Sequence, residues 1–129
     1  MVRWWWVSCL VGCSAPAEVL LAPTQASTNG GTYDLRFEAE PQPFLAGEAG
    51  VFRVEVRHEG DVVPSAELII EPWMPDMGHG LSDPVDVFAD GDGWHQAQLT
   101  FSMPGYWELA LAFDGSPGHD GLTIAYEVE

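Results

Sequence analysis

Val51-Phe52-Arg53-Val54-Glu55-Val56-Arg57-His58 sets Phe52, Val54 and Val56 against Val51, Arg53, Glu55 and Arg57 in strict alternation. A period of two puts the first set on one side of an extended chain and the second on the other, as in a half-buried antiparallel strand. The same pattern extends outward from this segment. Tyr33 to Glu38 precedes it, and Ala66 to Pro72, Val85 to Ala89, His95 to Phe101, Tyr106 to Phe113 and Leu122 to Val128 follow. In the sixth of these seven, Trp107, Leu109 and Leu111 alternate with Glu108, Ala110 and Ala112. The breaks between segments carry turn chemistry: Glu59-Gly60-Asp61, Asp90-Gly91-Asp92-Gly93 and Asp114-Gly115-Ser116-Pro117-Gly118. No stretch has a helical period of useful length. About seven short strands predict an all-β chain folded as an immunoglobulin-like antiparallel β-sandwich over residues 33–129. Such a fold does not by itself specify a function.

The chain starts differently. MVRWWWVSCLVGC has one base, Arg3, an apolar run from Trp4 to Gly12, and then small residues, the layout of a secretory signal. The run is too short to span a bilayer, which takes roughly 20 apolar residues. Its end, Leu10-Val11-Gly12-Cys13, resembles the bacterial lipobox, which implies cleavage before Cys13 and lipid on its thiol. Cys9 is the poorer acceptor, with bulky Trp6 three residues ahead of it. The expectation is a signal peptide over residues 1–12 and a lipidated, flexible tether over 13–32, where two prolines and Asn29-Gly30-Gly31 interrupt small polar residues. That places the protein in a bacterial cell envelope, attached to the membrane through Cys13. Ser14 matches the pattern directing lipoproteins of diderm bacteria to the outer membrane. Cleavage would leave 129 − 12 = 117 residues with one cysteine, itself lipidated, so no disulfide can form. A chain of that size can bury a core without a staple.

Acidic residues dominate: 20 Asp and Glu against 4 bases, all of them arginine. Without Arg3 the formal balance is 3 − 20 = −17. A surface so charged repels phosphate backbones and anionic lipid, which rules against nucleic-acid binding.

One segment exceeds what a sandwich connection needs. Pro72-Trp73-Met74-Pro75-Asp76-Met77-Gly78-His79-Gly80 holds two thioethers and an imidazole, and Met103-Pro104-Gly105 adds a third thioether. Every methionine except the initiator lies in these two connections. Thioether sulfur is a soft donor that selects Cu(I), and imidazole suits copper in either oxidation state. If direction reverses at each connection, Met74, Met77, His79 and Met103 share one end of the sandwich. Strands three and six are neighbours in such a fold, so the two connections should meet. His58, His95 and His119 fall at the other end, eight residues or on the order of 25 Å away along the fifth strand. The same Met and Trp side chains would also serve as an apolar plug for the end of the core.

The run MPDMGHG, followed by FSMPGYWEL, resembles the YtkA-like domain, related to the FixH-type accessory proteins. The resemblance covers roughly Tyr33 to Val128. Its motif falls on Pro75, Met77, Gly78, His79, Gly80, Met103, Pro104, Gly105 and Trp107. It implies an immunoglobulin-like sandwich on an exported or membrane-attached bacterial protein and, for some members, copper handling or respiratory-oxidase assembly.

No nucleophile elbow, zinc-protease helix or phosphate loop occurs, so the chain is expected not to be an enzyme. Asp90-Gly91-Asp92-Gly93 lacks the remaining ligands of a calcium loop and reads as a hairpin turn. Two functions fit. In one, Met74, Met77, His79 and Met103 hold Cu(I) for storage or for delivery to a copper-accepting or respiratory-complex protein. In the other, Trp73, Trp107 and Phe44 form an apolar patch by which the domain assists a membrane complex without metal.

Overall fold

The computed structural model describes residues 18–129. Cys13 and the signal segment lie outside these residues. Among the described residues every regular element is a strand: β1 (Leu20–Leu21), β2 (Gln25–Ser27), β3 (Asp34–Glu40), β4 (Gly50–His58), β5 (Asp61–Val62), β6 (Glu67–Met74), β7 (His79–Gly80), β8 (Val87–Ala89), β9 (Trp94–Leu99), β10 (Gly105–Gly115) and β11 (Gly118–Val128). They form two sheets, one ordered β1-β11-β10-β6-β7 and the other β2-β3-β4-β9-β8, with β5 pairing β4 at its end. The seven expected strands are β3, β4, β6, β8, β9, β10 and β11, divided between the sheets as in an immunoglobulin-like sandwich.

Alternation along each strand builds the core. Phe52, Val54 and Val56 of β4 face Leu109, Leu111 and Phe113 of β10 and Ile124 and Tyr126 of β11 across the interior, all buried. On the outer side of β3 and β4, Arg53 bonds Glu38 at 2.7 Å and lies 4.6 Å over the Trp94 ring. Glu55 is held by Arg57 and, at 3.8 Å, by Arg36. The Asp90 carboxylate accepts from the Asp92 N–H at 2.9 Å, closing the turn that the Asp-Gly run predicts.

The sandwich begins before the expected boundary at Tyr33. Leu20 and Leu21 run parallel to Ile124 and Ala125, and Gln25 to Ser27 pair with Asp34 to Arg36. The 28–32 turn is tied down by Asp120, whose carboxylate accepts from Thr28 Oγ1 at 2.7 Å and from the N–H groups of Gly30, Thr32 and Gly121. The expected tether over 13–32 is therefore too long at its C-terminal end. Small polar residues look like a linker locally, but β11 and β3 offered unpaired edges that this segment covers.

Candidate functional site

The hairpin β6–β7 turns the Met/His run into a structured end. Along β6, Leu68, Ile70 and Met74 are buried, while Glu67, Ile69, Glu71 and Trp73 point outward. Beyond Met74 the chain reverses through Pro75–Gly78. The N–H groups of Met77 and Gly78 both donate to the Met74 carbonyl, and Gly78 has φ 67°, a left-handed turn conformation that suits glycine. His79 thereby becomes the register partner of Met74, and Gly80 that of Trp73. A side chain at Gly80 would run into the Pro72 carbonyl, so the close approach of the two arms requires glycine there.

Directly opposed residues of an antiparallel pair project on the same face. Met74 and His79 therefore both turn toward the inside of the sandwich, where Trp107 of β10 is fully buried. The β6–β10 register puts Glu108 opposite Trp73, which sets Met74 beside Trp107. The imidazole of His79 meets the Trp107 indole edge to face, with centroids 5.8 Å apart. Trp107 in turn donates its Nε1–H to the Met103 carbonyl at 3.0 Å, and Met103 packs half-buried on the core. The Met74 methyl fills the space next to Gly105. Met74, His79 and Met103 are thus gathered around one indole at one end of the sandwich, as strand parity predicts.

The remaining candidates separate from this group. Met77 is at the hairpin tip and 56% exposed. Of the expected apolar patch only Trp73 is on the surface, 46% exposed. Trp107 and Phe44 do not belong to an exposed patch. Phe44 is 1% exposed, over Gly50 and between the rings of Phe101 and Tyr126 at 5.2 and 5.1 Å. Both are large apolar groups that an end of the core could enclose, and burial wins over display. His95 donates from Nε2 to the Ala66 carbonyl at 2.7 Å, His58 Nδ1 lies at 2.7 Å from the Thr32 carbonyl, and His119 pairs with Asp114, all at the opposite end.

The donor set fits a soft ion better than a hard one. His79 Nδ1 is 3.2 Å from the Gly80 carbonyl oxygen, which can only accept, so Nδ1 carries the proton and Nε2 keeps its lone pair for a ligand. With the Met74 and Met103 thioethers carried at the same end of the sandwich, the available donors are a soft S/N set. Among the described residues no group of three or more His, Cys, Asp and Glu is placed to hold a metal. The outer surface near the hairpin is acidic: Tyr106 bonds Glu108 at 3.1 Å, and burial, Glu108, Glu127 and Asp76 together push its phenol above the ordinary range.

Pairing of His79 with Met74 and contact of His79 with Trp107 escaped the sequence reading. The signal for the first was present, since Gly78 and Gly80 flank the histidine as a tight hairpin requires.

The YtkA-like family model matches residues 26–112. A solved structure of a DUF4426 family protein from Pseudomonas aeruginosa has TM-score 0.59 at 16% identity, covering 75% of this chain and 90% of that one. The Lin-41 filamin domain has TM-score 0.53 at 13% identity, covering 83% and 98%. A copper-bound variant of FetP from uropathogenic Escherichia coli has TM-score 0.53 at 12% identity, covering 82% and 93%. At these identities the likeness is one of fold. No curated protein matches the sequence.

Proposed function

Because the chain belongs to the YtkA-like family, we propose that it is a non-catalytic copper-binding module of a bacterial envelope, holding Cu(I) at the Met/His end of its sandwich. The observation that carries this reading is the hairpin that sets His79 opposite Met74 and against Trp107, with Met103 bonded to the same indole. Met74, His79 and Met103 supply sulfur, nitrogen and sulfur. Met77, exposed at the tip, meets the incoming ion. A soft monovalent ion is the partner such donors prefer. A variant of FetP, which shares the fold at low identity, is copper-bound, in keeping with this reading.

The anchor in this proposal is lipid on Cys13, the location is the periplasmic or outer-membrane face of the envelope in a diderm cell, and the copper passes to an accepting or respiratory-complex protein. The acidic surface retains cations near the site without choosing among them.

The test is a Cu(I) titration of the full chain against a competing chelator, with His79 and the methionines followed by NMR. One-to-one binding that shifts His79, Met74 and Met103 is expected. Replacing Met77 and His79 together should abolish stoichiometric binding with the fold intact, and Met74→Leu, which keeps volume, should weaken it. Unchanged affinity in these variants would remove the site from consideration.

One observation favours the second reading, an interaction module without metal. Trp73, Met77 and Ile69 are all exposed on the hairpin and the outer side of β6, with Ile69 at 61%. A crosslinker at Trp73 that captures one dominant envelope protein in the absence of copper would support it.

A further inference from the structure

We propose that Trp107 sets the oxidation-state preference of the site, acting as a specificity-determining residue that holds both ligand-bearing loops and walls their donors off from water. This rests on the copper reading above and extends it from which residues bind to why one oxidation state is chosen. Trp107 touches both connections through its side chain: its ring meets His79 of β7 and its Nε1–H holds the Met103 carbonyl. It is fully buried and backed by Phe101, whose ring lies 5.2 Å away, with Phe44 tilted against the Phe101 ring. The indole therefore cannot swing aside to admit further ligands without opening the core, and no water can approach the donors from its side.

Cu(I) tolerates few, soft ligands, whereas Cu(II) demands a tetragonal set completed by oxygen or nitrogen. A rigid aromatic wall removes the positions that water would fill around Cu(II). An indole face is also the best aromatic surface for a desolvated cation. Both effects act in the same direction. Phenylalanine at 107 would keep an aromatic wall but lose the Nε1–H bond, freeing the Met103 loop. Leucine would lose the aromatic surface as well.

The experiment uses the full chain and copper ions alone. In the wild-type protein the Trp107 indole Nε1–H resonance is followed during anaerobic Cu(I) addition and, separately, during Cu(II) addition. A shift with Cu(I) and none with stoichiometric Cu(II) is expected. Trp107→Phe and Trp107→Leu are then compared by chelator competition with each ion, and the Cu(I)-over-Cu(II) preference should fall about tenfold or more, with Leu lower than Phe. If both variants lose their fold, the wild-type resonance decides alone. Cu(I) binding through His79 with an unmoved Trp107 resonance, or an unchanged preference in folded variants, overturns the role of Trp107 and leaves the copper site standing. Absence of Cu(I) binding in the wild type overturns both.

Discussion

Replacing Asp120 by alanine tests whether the segment before Tyr33 is a structural part of the sandwich. The carboxylate accepts from Thr28 Oγ1, from the N–H groups of Gly30 and Thr32, and from its neighbour Gly121, so one side chain joins the 28–32 turn to β11. A hydrogen bond to a charged group contributes about 1.5–3 kcal/mol net where its loss leaves a buried partner unsatisfied. Four such terms do not add here. Gly30 is exposed and rehydrates freely, Thr32 and Gly121 are half-buried, and only Thr28 is fully enclosed. One buried and two partial losses give about 2–3 kcal/mol, which for a domain of this size lowers Tm by about 10 °C. The assay is thermal unfolding by circular dichroism at neutral pH, repeated at falling pH. Burial alone would raise the Asp120 pKa, but the Thr28 hydroxyl and the Thr32, Gly121 and Gly30 amides outweigh it and hold the carboxyl well below its ordinary 3.8. A depressed pKa means that the stabilisation is complete above about pH 4 and is lost as pH falls toward the folded value. The gap between wild type and variant should therefore be constant at neutral pH and close in acid. A variant within about 0.5 kcal/mol of wild type at pH 7 would refute the reasoning, because that is the range of an ordinary surface change.

Three further outcomes follow from the same geometry. A chain beginning at Tyr33 should unfold at a lower temperature than Asp120→Ala, since it also loses the β1 and β2 pairings; equal stability to the chain from Glu18 would show the early strands to be ornamental. Phe44→Ala should cost about 3–5 kcal/mol in denaturant unfolding, the range for emptying an aromatic site in a packed core, whereas a surface-patch Phe44 would show almost none of this. Trp73→Ser, at an exposed position, should change stability by less than about 1 kcal/mol and leave Cu(I) affinity unaltered. A large loss of affinity there would move the site to the outer face of β6.

The seven main strands were legible because alternation is a local property: Val51 to His58 reads as a strand without reference to any other residue, and its pairing with β3 and β9 only uses what the pattern already offers. The soft-donor character of the Met/His run was equally plain, since it depends on residue type and spacing alone. Even the shared end of Met74, His79 and Met103 followed from counting reversals of direction. The short strands were not legible. β1 and β7 have two residues each, too few to show a period, and they exist because a neighbouring edge was open to receive them.

What only the tertiary structure decided is which face each aromatic and each ligand presents. Phe44 and Trp73 are both large apolar residues beside turns. One closes over Gly50 into the core and the other stands on the outside of β6, because its place in the alternation of a paired strand leaves it no interior to enter. His79 is a candidate ligand by its neighbours in the chain, but its place opposite Met74 was set by the β6–β7 pairing. Asp120 lies 92 residues from Thr28. Contacts over such separations depend on how the sheets close, and chain order carries no record of that closure. Sequence alone determined the fold class and the chemistry available, and packing of the two sheets determined that Trp107 would stand between the two loops that carry it.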